Sequence, residues 1–63
     1  MQKRLIDIKE ASEYLDLTVN TLYSWVSQRK IRFVKVGRLT KFDLRDIDRF
    51  IEESKVEPLH FDR

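Results

Sequence analysis

Asn20, Ser24 and Ser27 recur at helical spacing in the stretch LTVNTLYSWVSQRK, Leu17 to Lys30, with Tyr23 and Gln28 beside them. All are hydrogen-bonding side chains, and none carries a charge. The Glu/Lys mixture that usually keeps a surface helix in water is absent. With Leu22 at the centre of a buried face and steps of about 100° per residue, Val19, Trp25, Val26 and Arg29 fall within about 60° of that direction. Asn20, Ser24 and Ser27 fall within roughly 40° of the opposite direction. Tyr23 and Lys30 flank one side of this polar face, and Thr21 and Gln28 the other. The chemistry available here is the reading of base edges. Asn and Gln pair with adenine through two hydrogen bonds, and Ser or Thr serves as donor or acceptor. Tyr23, Gln28 and Lys30 suit phosphates, which fix register rather than sequence.

Other chemistry finds little support in the residues. Asp7, Asp43 and Asp46 sit where helices begin and read as caps and first-turn acids, not as a catalytic pair. His60 stands alone after Pro58, with no partner at metal-ligand spacing. No phosphate-cradling glycine loop, nucleophile elbow or zinc motif occurs. There is no cysteine, hence no disulfide or thiolate site. No cofactor, metal or small-molecule substrate is expected, and 63 residues leave no room for a deep substrate cavity. Apolar runs fall far short of the ~20 residues that span a bilayer. The start MQKRLIDIKE lacks the apolar core of a signal peptide. The expected location is the cytoplasm.

Charge is unevenly spread. The net charge is only +2. Yet Arg29, Lys30, Arg32, Lys35, Arg38 and Lys41 follow one another with no acid between them, whereas Asp43 to Glu57 is mainly acidic. A basic patch on a small domain is the footprint of a polyanionic partner. An acidic final helix is repelled by such a partner, so it is expected to face away, as a solvated or protein-contacting surface.

Three capped helices position these groups. Asp7 precedes IKEASEYL with Glu10 three residues on, a capping box. Thr18 precedes VNTLYSWVSQ, and its hydroxyl oxygen suits the N–H of Asn20 or Thr21. Asp43 precedes LRDIDRFIEES, where a carboxylate suits the positive helix end. Only Asp16 and Leu17 separate the first helix from Thr18, so the first two helices must cross steeply, as in a helix-turn-helix. Asp16 is expected in the left-handed or turn conformation, with Leu17 pointing inward. Between the second and third helices, IRFVKVGRLTKF reads as a two-stranded hairpin with Gly37-Arg38 at its tip. A lone hairpin is marginal in water, so Val34, Val36 and Phe42 are expected to pack it on the helices. Tyr14 is expected to be half-buried and Trp25 to belong to the core or its edge. Residues 1–54 then form one domain, and 55–63 a tail carrying the apolar Leu59 and Phe61. The fold class is mainly α with a small β-hairpin, a winged helix-turn-helix in the order α-α-β-β-α.

The segments LIDIKEASEYL, NTLYSWV, FVKVGRLTKF and LRDIDRFI together resemble the excisionase-like, MerR-like winged helix-turn-helix DNA-binding domains, over about Leu5 to Ile51. Thr18, Thr21, Leu22 and Tyr23 match the start of that family's recognition helix. Val36, Gly37 and Arg38 match its wing, and Lys41 matches a basic residue three beyond the arginine. Asp46, Ile47, Asp48, Phe50 and Ile51 match its last helix. The chain departs from the pattern at Asp16, usually Gly, at Arg32, often Pro, at Thr40, commonly aromatic, and at Ser24, often Arg or Lys.

The resemblance implies a double-stranded DNA partner, with helix Val19 to Gln28 in the major groove and the Phe33 to Phe42 hairpin on the minor groove or backbone. Asp43 to Ser54 would support both from behind. The residues expected to touch DNA are Thr18, Asn20, Thr21, Tyr23, Ser24, Ser27, Gln28 and Lys30 on the helix side, and Lys35, Arg38 and Lys41 on the wing. It also implies either an architectural role in excisive recombination, as in phages and mobile elements, or transcription regulation. A second copy on an adjacent site or a recombinase is the expected protein partner. The alternatives are a protein-interaction module on the same fold, or the DNA-targeting part of a larger protein.

Overall fold

The computed structural model describes residues 4–59; His60 and Phe61 lie outside them. Chain order is β1 (Leu5–Asp7), α1 (Ile8–Leu15), α2 (Val19–Ser27), β2 (Val34–Val36), β3 (Leu39–Asp43) and α3 (Leu44–Ser54). Three helices and a small antiparallel sheet make a winged helix-turn-helix.

The expected caps are in place. Asp7 Oδ1 accepts from Glu10 N at 2.8 Å, and Glu10 Oε1 accepts from Asp7 N at 3.2 Å, a complete capping box. Thr18 Oγ1 accepts from Thr21 N at 3.1 Å. Asp16 takes the left-handed conformation at φ 58°, ψ 45°. Around it Asp16 N donates to Glu13 O at 3.2 Å and Leu17 N to Ser12 O at 2.8 Å. Orphan carbonyls at the end of α1 are thus closed by backbone alone, and the chain turns into α2 with no longer loop.

The sheet holds one strand more than the hairpin expected from sequence. Its order is β1-β3-β2, so β3 is central. Leu5 pairs with Asp43, Ile6 with Phe42 and Asp7 with Lys41. Leu44 N donates to Arg4 O at 2.9 Å and extends the pairing by one bond. Three residues carry too little alternation to announce a strand. β1 exists because β3, about 38 residues later by this register, offers it a free edge. The third strand also relieves the marginal stability of a lone hairpin.

Ile6, Ala11, Leu22, Ile31, Phe42 and Ile47 form the buried core, with Ile8, Leu15, Trp25, Val26, Phe33, Leu44, Phe50 and Ile51 partly buried against it. Trp25 meets Phe50 with ring centroids 5.6 Å apart, which joins α2 to α3. The expected inward packing of Val34 and Val36 is corrected by the register. Val34 lies opposite Lys41 and Val36 opposite Leu39, so these four side chains share the sheet face away from Phe42. Side chains alternate with a strict period of two, and Val34, Val36 and Phe42 cannot all face the helices. Val36 is 46% exposed. Ile31 takes the inward place instead, at 4% exposure.

Tyr14 is exposed rather than half-buried, and its hydroxyl donates to Asp48 Oδ1 at 2.6 Å. That bond, together with the Asp48 charge, raises the Tyr14 hydroxyl above its ordinary range. One side chain of the acidic helix face is therefore tied to α1. Beyond the Lys55 cap of α3, Val56 and Leu59 are exposed.

Asp43 closes β3 and opens α3. Its Oδ1 accepts from Arg45 N at 2.9 Å, and its Oδ2 meets Arg4 Nε at 3.0 Å and Arg45 Nη2 at 3.4 Å. The backbone and side-chain bonds from Arg45, more than the Arg4 guanidinium, lower its carboxyl from 3.8 to about 2. A depressed carboxyl contributes stability that is fully present above its unfolded pKa and lost as pH falls through the folded one. Denaturant titrations are expected to show this contribution unchanged down to about pH 4 and lost toward pH 2. Asp43→Asn keeps a capping oxygen and should flatten that part of the acid fall; an unchanged profile would contradict the assignment. Phe42→Ala should cost about 3–5 kcal/mol, enough in a domain this small to collapse the dispersed amide spectrum of the folded state.

Candidate nucleic-acid interface

Helix α2 presents Asn20, Tyr23, Ser24, Ser27 and Gln28 to solvent at spacings of three and four residues. The opposite side of the helix is anchored by fully buried Leu22, with Val26 and Trp25 packed beside it. The polar face is thus held by a fixed backbone rather than a loop. Among the described residues, Asn20, Tyr23 and Ser27 have no side-chain hydrogen-bond partner, so their donors and acceptors are open to a ligand. Ser24 Oγ accepts from Gln28 Nε2 at 3.0 Å. This bond orients the Gln28 amide, and its carbonyl oxygen has no partner among the described residues. Thr18 and Thr21 are joined through their hydroxyls at 2.9 Å, and Thr18 also serves as the cap. Both hydroxyls are committed to the start of the helix, so a contact there must share them.

The end of α2 differs from a wheel carried past it. The helix stops at Ser27, Gln28 forms the cap, and Arg29 is left-handed at φ 59°. Arg29 N donates to Val26 O at 3.1 Å and Lys30 N to Trp25 O at 2.9 Å. The closure repeats the one around Asp16, with Arg29 in the position where glycine is usual. Arg29 therefore leaves the buried face and is exposed. Lys30 leaves the flank of the polar face and lies with Nζ 5.5 Å from the Trp25 ring centroid.

The wing turns at Gly37, φ 62°, where a Cβ would meet nothing within 4 Å. The turn needs glycine for its backbone conformation and not for space. Arg38 stands exposed at the tip with no partner among the described residues. Lys35 and Lys41 lie on opposite faces of the hairpin, because Lys35 pairs with Thr40 and Lys41 with Val34. Lys35 Nζ donates to Thr40 Oγ1 at 3.3 Å. The turn is flanked by Val36 and Leu39, which face each other across the strands at 46% and 60% exposure. This apolar pair was not among the residues expected at the site. Its signal was present in the alternation of the strands, once register placed both on the outer face. No group of three or more His, Cys, Asp or Glu able to hold a metal ion occurs among the described residues. No helix among them is long and apolar enough to cross a membrane.

A family model described as a helix-turn-helix domain matches residues 5–55. The chain belongs to this excisionase-like helix-turn-helix family. The matched span runs from the first residue of β1 to the cap of α3, so it includes the strand added to the hairpin as well as the two crossing helices. Membership points to DNA binding as the general activity, in a family that is typically non-enzymatic. No curated protein and no solved structure gives a significant match.

Since Gly37 holds a positive φ, Gly37→Ala should destabilise the domain by about 1 kcal/mol, read as a lower denaturation midpoint. Asp16→Gly relieves the corresponding strain in the helix-turn-helix corner and should leave stability equal or slightly higher; a loss of more than 1 kcal/mol, roughly the scale of the strain itself, would show an unrecognised role for the Asp16 carboxylate.

Proposed function

We propose that the protein binds double-stranded DNA in a sequence-specific manner, with α2 in the major groove and the β2–β3 wing on the adjacent minor groove or backbone. The observation that carries this reading is the exposed α2 face, where Asn20, Tyr23 and Ser27 are unpartnered on a helix fixed by Leu22. Short side chains let a helix come close to base edges. Asn20 is the main reader, able to pair with adenine, and Ser24, Ser27 and Gln28 supply further donors and acceptors. Tyr23 reaches a phosphate or sugar beside them. Thr18 and Thr21 set the helix end against the backbone, and Lys30 contributes charge from the Trp25 side.

On the wing, Arg38 enters the minor groove or clamps a phosphate. Lys35 and Lys41 reach outward from its two faces, toward the strands on either side. Val36 and Leu39 pack on the deoxyribose walls beside Arg38.

One module of this size covers about 600–1,000 Å² of DNA-facing surface. Tight occupancy therefore requires a second copy on an adjacent site or a recombinase. The biological role follows as an excisionase-like architectural factor or a small transcription regulator, acting where DNA is, in the cytoplasm. Residues 1–54 are the DNA-binding unit and 55–63 an appended tail. The chain carries out no chemistry of its own. A second reading, a protein-interaction module on the same fold, is favoured by the internal Ser24–Gln28 bond, which uses part of the hydrogen-bonding capacity of the helix face.

The deciding measurement is a backbone amide shift titration with a short mixed-sequence duplex, first at low salt and then at higher salt. Shifts on 18–30 and 35–41 that fade with salt are expected for the groove-and-wing mode. Shifts confined to 46–53, or none, would favour the interaction module. Arg38→Ala with Lys41→Ala should weaken duplex binding and lower the salt slope by about 2. Asn20→Ala should relax preference at one base pair by about 1–3 kcal/mol, read by selection from random duplexes.

A further inference from the structure

The connector between α2 and β2 carries Arg29 and Arg32, two cations that neither the helix face nor the wing uses, beside Lys30 and Lys35, which those surfaces already employ. Arg29, Lys30, Ile31, Arg32, Phe33 and Lys35 line an open cleft of about 540 Å³. No acidic residue lines it. Among the described residues, none of its four cations forms an ion pair. This contrasts with Arg4, Arg45 and Lys55, each within 4.0 Å of a carboxylate. Lys30 and Arg32 also border a hollow shared with Asp46, Arg49, Phe50 and Glu53 of α3, yet neither reaches those acids as an ion pair.

The cleft is also built. Buried Ile31 anchors its floor in the core. The Arg29 guanidinium lies over the Phe33 ring, 5.8 Å from the centroid, and Lys30 lies over Trp25 at 5.5 Å. Stacking of this kind restricts a long side chain before any ligand arrives.

We propose that this cleft seats a backbone phosphate of the bound duplex, with Arg29 and Arg32 as its principal donors. The proposal rests on the groove-and-wing reading and adds a contact that the reading leaves unassigned. In a duplex, a phosphodiester backbone separates each major groove from the neighbouring minor groove. A protein with α2 in one and its wing in the other must cross that backbone with whatever joins them. The joining segment is the connector, and its side chains are the unpaired guanidinium and ammonium groups that phosphate oxygens accept from. Seating a phosphate there sets the distance between the helix and the wing along the duplex, so the cleft acts on register.

The test is the salt dependence of binding to a mixed-sequence duplex of about 20 base pairs, long enough for one module. Each phosphate contact contributes about 0.9 to the slope of log affinity against log salt. Arg32→Gln should remove part of that contribution, and Arg29→Gln with Arg32→Gln the whole of it, lowering the slope by about 0.9. Between 50 and 200 mM salt the double variant should lose roughly three- to fourfold less affinity than the wild type. Glutamine keeps a flexible polar side chain without the charge, and an unchanged amide spectrum of the free variant confirms the fold. Lys55→Gln, which removes a charge already paired with Glu52 outside the cleft, should leave the slope unchanged. If the wild type binds and the arginine variants keep its slope, or if Lys55→Gln lowers it equally, the cleft holds no phosphate while the groove-and-wing reading stands. If the wild type shows no duplex binding at low salt, that reading falls and the cleft proposal falls with it.

Discussion

Strand β3 is paired on both of its edges, and the remainder of the domain is arranged around that fact. On one side it holds β1, which ties the chain start to the core through Ile6 and Phe42. On the other it holds β2 and so carries the wing. Its last residue, Asp43, is also the cap of α3. A single five-residue strand therefore transmits position from the core to the wing tip and to the third helix. Phe42, its fully buried fourth residue, fixes which face of the strand points inward. By the two-residue period this sends Leu39 and Lys41 outward, and cross-strand pairing sends Val34 and Val36 with them.

Two helix ends are closed by the same device without glycine. Asp16 and Arg29 each adopt a positive φ, and each is followed by a backbone bond to a carbonyl five residues back. A left-handed residue other than glycine is strained by about 1 kcal/mol or more. At Asp16 the tight corner that sets α1 across α2 offsets that strain. At Arg29 the result is a chain that turns sharply away from α2, brings Ile31 into the core and stacks Arg29 on Phe33. The geometry of the basic cleft follows from the second closure.

In the groove-and-wing reading proposed above, the polar face of α2 and the charged connector would divide two tasks that DNA imposes. Base edges ask for short donors and acceptors on a rigid element, and phosphates ask for long cations. The uncharged side chains sit on the regular part of the helix, where backbone position is fixed by Leu22. The cations begin where the helix ends. Ser24 bonds to Gln28, and the cations nearest this face lie on the connector and wing. The Tyr14–Asp48 and Lys55–Glu52 contacts occupy part of the acidic face of α3, in keeping with a supporting role for that helix.

Local order was legible from residue types. Asp7 with Glu10, Thr18 and Asp43 announced the helix starts, Gly37 the turn and Asp16 the left-handed corner, because caps and turns depend on a few neighbouring atoms. The exposed face of α2 was legible too, since helical period alone places Asn20, Ser24 and Ser27 together. What depended on partners distant in the chain was not. β1 is three residues long and becomes a strand only on meeting β3. Val34 and Val36 have strand-forming side chains, but which face they occupy was decided by register against Leu39 and Lys41. Arg29 and Lys30 continued the wheel on paper, while the actual end of α2 turned them into a cleft with Arg32 and Lys35. Sequence determines which groups are available and how they repeat along one element; tertiary structure decides which face meets the core, because that choice is made by pairing and burial across the whole chain.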